Sequence, residues 1–125
     1  MNAEWKKRRV VDLLAALVAG QRDIVKSYLS ADCRIVFPGF SAVGYEGVDA
    51  LFQMIESVFD GCPTKSYERW VVDDHAAVVS GALFGRFKDG RVMDGTRYTD
   101  HFYFDASGKI TDWLVWNDLA LLPPA

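Results

Sequence analysis

The chain has 125 residues, which is enough for one domain of ordinary size. Half of the residues are hydrophobic and 14% are aromatic, a composition that excludes a disordered chain. The formal net charge of −3 argues against a nucleic-acid partner, because phosphate binding needs a basic surface.

Three helices are predicted in the first half of the chain. Apolar residues recur at helical spacing over residues 10–18, Gly20 is placed to end this helix, and residues 1–9 form its N-terminal extension. A shorter apolar stripe covers residues 24–29. A third helix is predicted over residues 47–59, before the helix-ending Gly61.

Strands dominate the second half. After one strand over residues 34–37, the apolar period changes at Pro63 from 3.6 to 2. Four further strands are predicted, over residues 65–72, 76–87, 92–104 and 109 to about 119. Their short, turn-rich connections predict sequential antiparallel hairpins. Residues 120–125 read as a tail, and because no linker or repeat interrupts the chain, we predict a single domain over residues 1–125.

This order of elements predicts an α+β fold. No crossover helix follows residue 62, which excludes a parallel βαβ sheet. A strongly curved sheet of four to six strands would have one face available for three helices. Such a cup leaves a pocket between the sheet and the helices.

Location and metal content are constrained by simple counts. No apolar run approaches the roughly 18 residues that span a membrane, so we expect no membrane partner. The basic residues 6–9 precede an apolar stretch, as in secretory signals, but Asp12 lies inside that stretch, so we expect a cytoplasmic protein. Two distant cysteines, Cys33 and Cys62, and two isolated histidines predict reduced thiols and no metal site.

Two motifs carry a family resemblance. The first is LAALVAG at residues 14–20, with ADC at residues 31–33, and the second is YTDHFYFDASGK at residues 98–109. Both resemble the nuclear transport factor 2-like superfamily, in particular its SnoaL-like, polyketide cyclase-like and ketosteroid isomerase-like members. The D-H-F-x-F-x-x-x-G-K portion of the second motif is similar to ketosteroid isomerase. The resemblance covers nearly the whole chain. It implies a cone-shaped, curved antiparallel sheet packed on three N-terminal helices, and a homodimer.

The ketosteroid isomerase resemblance carries over one of four functional residues. The aspartic acid that donates a hydrogen bond to the substrate oxygen corresponds to Asp100. The tyrosine of the oxyanion hole corresponds to Leu13 and the catalytic base to Phe37. The supporting tyrosine corresponds to Ile55. Since Phe37 cannot accept a proton, we expect that the chain does not use that reaction route.

Asp100 is the candidate catalytic residue. It shares a strand face with Tyr98, Phe102 and Phe104, and a carboxyl on such an apolar face should have a raised pKa. Held neutral, it would donate a hydrogen bond to a carbonyl or enolate oxygen. The alternatives are a buried aspartic acid satisfied by neighbouring groups, or a face that points to solvent or to a dimer partner.

A second set of residues is predicted to bind the substrate. Trp113 and Asn117 share one face of the last strand, as a wall and a polar anchor. If its strand face points inward, Arg86 would bind an anionic ligand or pair with Asp100; the alternative is an exposed arginine. The other candidates are apolar or aromatic: Phe37, Met54, Trp70, Phe84, Tyr98 and Phe102.

Three functions are compatible with these patterns. The first is a cofactor-free enzyme of the isomerase, cyclase or lyase type, acting on a small apolar or carbonyl-bearing molecule. The second is a non-catalytic ligand-binding module of the same fold, and the third is a structural dimerisation domain. An enzyme needs a second titratable group near Asp100, whereas a binding module needs only a cavity with one or two polar anchors. A structural domain would have its cup filled by side chains.

Overall fold

Three helices and seven strands build the domain, and the computed structural model describes residues 1–125. The helices are α1 (Ala3–Val18), α2 (Arg22–Tyr28) and α3 (Gly44–Val58). The strands are β1 (Leu29–Phe37), β2 (Phe40–Val43), β3 (Thr64–Lys65), β4 (Arg69–Val72), β5 (Ala76–Arg86), β6 (Val92–Phe104) and β7 (Ile110–Asn117). A short 3₁₀ turn, Leu119–Leu121, follows β7.

Helix α1 is longer than its apolar stripe. Asn2 caps its N-terminus by accepting a hydrogen bond from the Trp5 backbone nitrogen at 2.9 Å. The apolar residues at helical spacing, among them Val10, Leu13 and Leu17, are buried against the sheet and the other helices. None of the three helices has both the length and the hydropathy that a membrane crossing requires.

The sheet has the order β2-β1-β7-β6-β5-β3, and β4 also pairs with β5. Strands β5, β6 and β7 form the predicted antiparallel hairpins. Two features differ from the sequence prediction. Strand β1 runs parallel to β7, so the sheet is mixed, and it has seven strands because residues 65–72 divide into β3 and β4 and because β2 pairs with β1.

The core lies between the helices and the inner, concave face of this curled, unclosed sheet. Its largest side chains without solvent exposure include Leu13, Leu51, Phe102 and Trp113. Burial of each such side chain contributes roughly 1.5–3 kcal/mol. The predicted α+β architecture of three helices on a curved sheet is therefore confirmed.

Candidate functional site

A cavity of about 390 Å³ lies between the inner face of the sheet and helix α3. Fourteen of its 20 lining residues are hydrophobic, a composition typical of small-molecule sites. The apolar walls come from both helices and strands, and include Leu17, Phe37, Met54, Ile55, Val58, Leu83, Phe87 and Val115. The cup is thus not filled by its own side chains.

Four of the predicted site residues line this cavity: Phe37, Met54, Tyr98 and Asn117. Asn117 lies at the end of β7, where its side-chain oxygen accepts a hydrogen bond from the Leu119 backbone nitrogen at 3.2 Å. Its amide nitrogen makes no hydrogen bond within the chain, so it is available to a ligand.

Phe102 and Trp113 lie behind the wall of the cavity. Both are fully buried, and neither lines the space itself. The Trp113 ring packs against Phe37 on one side and Phe102 on the other, with centroids 5.6 and 5.8 Å away. The two residues therefore hold Phe37 in place. The strand pattern predicted that both contact a ligand directly, but neither side chain reaches the cavity.

Phe84 and Arg86 lie outside the cavity, on the opposite face of β5. The odd-numbered residues of this region, such as Val79, Leu83 and Phe87, are buried, which turns the even-numbered ones outward. Both Phe84 and Arg86 are exposed. The prediction that they face the pocket is therefore wrong, and no Arg86–Asp100 ion pair forms.

Trp70 lies at the edge of the sheet, beside helix α1. It is half-buried in a surface groove with Tyr67, Lys7 and Arg8. The Lys7 Nζ atom lies 6.0 Å from the centroid of a Trp70 ring. Trp70 therefore packs under α1. The sequence analysis predicted that it binds the substrate, but it does not line the cavity.

Lys65 forms one polar end of the cavity, although the sequence patterns did not single it out. Its side chain is 12% exposed and its Nζ atom donates a hydrogen bond to Asp100 Oδ2, in an ion pair with that fully buried carboxyl group. The same Nζ atom lies 4.7 Å from the centroid of the Tyr98 ring. Asp100 itself does not line the cavity, and its Oδ1 atom has no hydrogen-bond partner.

Opposing influences act on the ionisation of Asp100. Burial raises the pKa of its carboxyl group, while the charge of Lys65 and the hydrogen bond from Lys65 lower it. Burial is the larger influence, so the pKa lies above its usual value of 3.8. Burial and the nearby Asp100 also raise the pKa of Tyr98, whose hydroxyl group stays protonated and donates to the Ser66 carbonyl oxygen at 2.6 Å.

One extra residue in the chain directs Lys65 inward. Lys65 pairs with Leu83 and Arg69 pairs with Ser80, so four residue steps on one strand oppose three on the other. This is the spacing of a β-bulge, and it reverses the side-chain alternation between β3 and β4. In a continuous strand, the side chains of Lys65 and Trp70 would point to opposite faces, because the two positions have opposite parity. With Trp70 pointing inward, alternation alone would place Lys65 on the outer face, and it therefore missed Lys65.

Metal ligation is not supported by the arrangement of side chains. No group of three or more His, Cys, Asp or Glu residues lies close enough together to hold a metal ion. Cys62 lines the cavity, but burial raises the pKa of its thiol, so it stays protonated. Lys65 and the free amide of Asn117 are thus hydrogen-bond donors at the cavity wall.

Comparison with protein families identifies the class of domain. Residues 10–113 match the SnoaL-like domain family, and the chain therefore belongs to that family. The predicted SnoaL-like relationship is confirmed. Among curated proteins, none matches this sequence at a significant level.

Solved structures share the fold over nearly the whole chain. An NTF2-like protein of unknown function from Burkholderia pseudomallei is 15% identical, with a TM-score of 0.82 over 93% of this chain and 92% of that chain. A protein from Xanthomonas campestris, provisionally described as a polyketide cyclase, is 14% identical, with a TM-score of 0.81 and coverage of 97% and 96%. A SnoaL-like protein from Jannaschia, with the same provisional description, is 18% identical, with a TM-score of 0.78 and coverage of 93% and 87%. These identities establish the NTF2-like fold alone.

Proposed function

We propose that the chain is a cofactor-free enzyme that promotes proton transfer on a small, apolar, carbonyl-bearing compound, in a reaction of the isomerase, cyclase or lyase type. The observation that carries this proposal is the Lys65–Asp100 pair. It places a positively charged donor at the wall of a mostly apolar cavity and supports it from behind with a buried carboxyl group.

Lys65 is the group that would contact the substrate. An ammonium group has three N–H donors, and Asp100 accepts one of them, so the others are available to a carbonyl oxygen. Transfer of a proton from the carbon next to that carbonyl to a solvent water molecule, since no lining side chain accepts it, moves negative charge onto the carbonyl oxygen. A fixed positive charge at this point stabilises the developing enolate, and it does so more strongly in an apolar cavity than in water.

Asp100 acts through Lys65 and is a positioning residue in this scheme. It has no surface in the cavity, so the direct contact with substrate predicted from the sequence is replaced by a contact through the lysine. Asn117 and Tyr98 line the same cavity as Lys65, and the free amide of Asn117 would bind a second acceptor on the compound.

A binding module is the second candidate function. The cavity wall carries no Asp, Glu or His side chain that could accept a proton from carbon, and both Tyr98 and Cys62 stay protonated. A ligand could therefore bind with its oxygen at Lys65 without reacting. The open cavity argues against a purely structural domain.

Binding and proton exchange of 2-acetonaphthone in D₂O separate these candidates. Calorimetry should show binding to the wild-type protein, and NMR should show faster deuterium incorporation at its methyl group. Lys65→Met should weaken binding by about 10-fold or more, because it removes a charged hydrogen bond worth roughly 1.5–3 kcal/mol. Lys88→Met, at an exposed lysine outside the cavity, is the matched control.

Each outcome selects one function. Binding with accelerated exchange that depends on Lys65 supports the enzyme. Binding without acceleration supports the binding module. Equal losses in the Lys65 and Lys88 variants would contradict any role of Lys65 in the site.

A further inference from the structure

A second cation, Arg91, lines the cavity away from Lys65. Lys65 pairs with Leu83, whereas the Arg91 carbonyl oxygen accepts a hydrogen bond from the Phe87 backbone nitrogen at 2.9 Å. Leu83 and Phe87 both line the cavity, and the four residue steps between them correspond to about 13 Å along an extended chain. The two cations therefore lie toward different ends of the same apolar space.

The side chain of Arg91 is held in place but keeps free donors. Its guanidinium carbon lies 4.0 Å from the centroid of the Phe87 ring, and its side chain is 27% exposed. Its Nε atom donates to Asp89 Oδ2 at 2.9 Å. The two terminal nitrogens make no hydrogen bond within the chain, so they can donate to one carboxylate in a bidentate arrangement.

The charges of the cavity wall do not cancel. Lys65 and Arg91 are among the 20 lining residues, and none of these residues is Asp or Glu. Lys65 is compensated by the buried Asp100. Asp89, the partner of Arg91, is 57% exposed and does not line the cavity, so solvent screens its charge. The Arg91 end of the cavity therefore favours an anion.

We propose that this cavity binds an elongated apolar compound that carries an acidic group: its carbonyl or hydroxyl oxygen lies at Lys65 and its carboxylate lies at Arg91. This inference rests on the proposed function, since it uses the same cavity and the same Lys65 contact. Sequence alternation suggested that Arg86 would bind an anionic ligand. Arg91 lines the cavity and Arg86 does not, so the inference assigns this role to Arg91.

A series of three related probes tests the inference. They are 4′-hydroxybiphenyl-4-carboxylate, its methyl ester and 4-phenylphenol, and calorimetry gives the affinity of each. The wild-type protein should bind the acid at least about 10-fold more tightly than the ester, which corresponds to roughly 1.4 kcal/mol. Arg91→Gln should abolish this difference, whereas Arg69→Gln, which removes an exposed arginine outside the cavity, should retain it.

The comparison of acid and ester in the wild-type protein does not depend on how well any variant folds. Equal affinities for acid and ester, with 4-phenylphenol also bound, would overturn the acidic-ligand inference and leave the proposed function standing. A similar loss of acid binding in the Arg91 and Arg69 variants would overturn it too, because it would indicate a general effect of charge. Failure of all three probes to bind, with 2-acetonaphthone still bound, would overturn the inference alone, whereas failure of 2-acetonaphthone as well would contradict the proposed function itself.

Discussion

Asp100 has no solvent exposure, and its carboxyl group has Lys65 as its one hydrogen-bond partner. An ion pair of this kind adds little net stability over apolar side chains of similar size, because both charges lose their hydration. Removing one member is different, since it leaves the other charge buried without compensation at a cost of about 3–5 kcal/mol. A carboxyl group can avoid part of this cost by binding a proton.

We predict that Lys65→Met destabilises the fold more at neutral pH than at acid pH. Without Lys65, burial is opposed only by the weaker influence of the His101 charge, so the pKa of Asp100 rises further above 3.8 in the folded state. A raised folded-state pKa stabilises the fold below the unfolded-state pKa, and that contribution is lost as the pH rises through the folded-state pKa. In urea unfolding between pH values of about 4 and 7, the unfolding free energy of the variant should therefore fall further below that of the wild type as the pH rises. The difference should grow by at most about 1.4 kcal/mol per pH unit.

The double variant Lys65→Met/Asp100→Asn identifies the titrating group. It lacks the carboxyl group, so its difference from wild type should not acquire the extra pH dependence of the single variant. If the double variant shows the same growing deficit, another group is responsible and the account of Asp100 is wrong.

At the scale of whole elements, strand alternation predicted some side-chain directions and missed others for identifiable reasons. Tyr98, Asp100 and Phe102 are all buried, as expected for one face of β6. Strand β5 has apolar residues on both faces, so its pattern did not show that Phe84 points outward. The inward direction of Lys65 depends on pairing register, which a linear sequence does not contain.

The bulge that positions Lys65 depends on a close approach at Gly81. A Cβ atom at Gly81 would lie 2.2 Å from the Ser66 carbonyl oxygen, which is shorter than any allowed contact. The same Ser66 accepts hydrogen bonds from the Tyr98 hydroxyl group at 2.6 Å and, through its Oγ atom, from the Ala82 backbone nitrogen at 3.0 Å. Ser66 is thus anchored to β5 and β6 directly beside Lys65.

We predict that Gly81→Ala displaces Ser66 and with it Lys65. The forced separation should cost about 1–3 kcal/mol of unfolding free energy, as overpacking usually does. It should also weaken binding of 2-acetonaphthone, because Lys65 moves relative to the cavity. Urea unfolding and calorimetry measure the two effects. Ser80→Ala is the control, since its hydroxyl group makes no hydrogen bond within the chain, and a comparable loss of binding in that variant would contradict the proposed role of Gly81.

At the scale of the whole molecule, the outer face of the sheet is unusually apolar for a surface. Trp116 is 53% exposed and Val71 is 71% exposed, and Phe84 and Tyr103 are also exposed. The His101 ring is also on this face, and its centroid lies 4.6 Å from the centroid of the Trp116 ring. Exposed aromatic patches of this kind are typical of protein–protein interfaces.

We therefore expect a homodimer in which two outer sheet faces pack against each other, with Trp116 near the centre of the interface. Light scattering coupled to size-exclusion chromatography should give twice the chain mass for the wild-type protein. Trp116→Lys should give a monomer, because it places a charge on the apolar face. Ile24→Lys, at an exposed apolar residue on helix α2, should remain a dimer.

The cavity opens on the inner face, so the homodimer and the ligand site should be separable. A folded Trp116→Lys monomer should keep the wild-type affinity for 2-acetonaphthone, since none of the outer-face residues lines the cavity. A wild-type monomer at every concentration tested would contradict the homodimer. A folded monomer that no longer binds would show instead that pairing of the sheets shapes the cavity, because the strands that carry Tyr98 and Asn117 on their inner face carry His101 and Trp116 on the outer one.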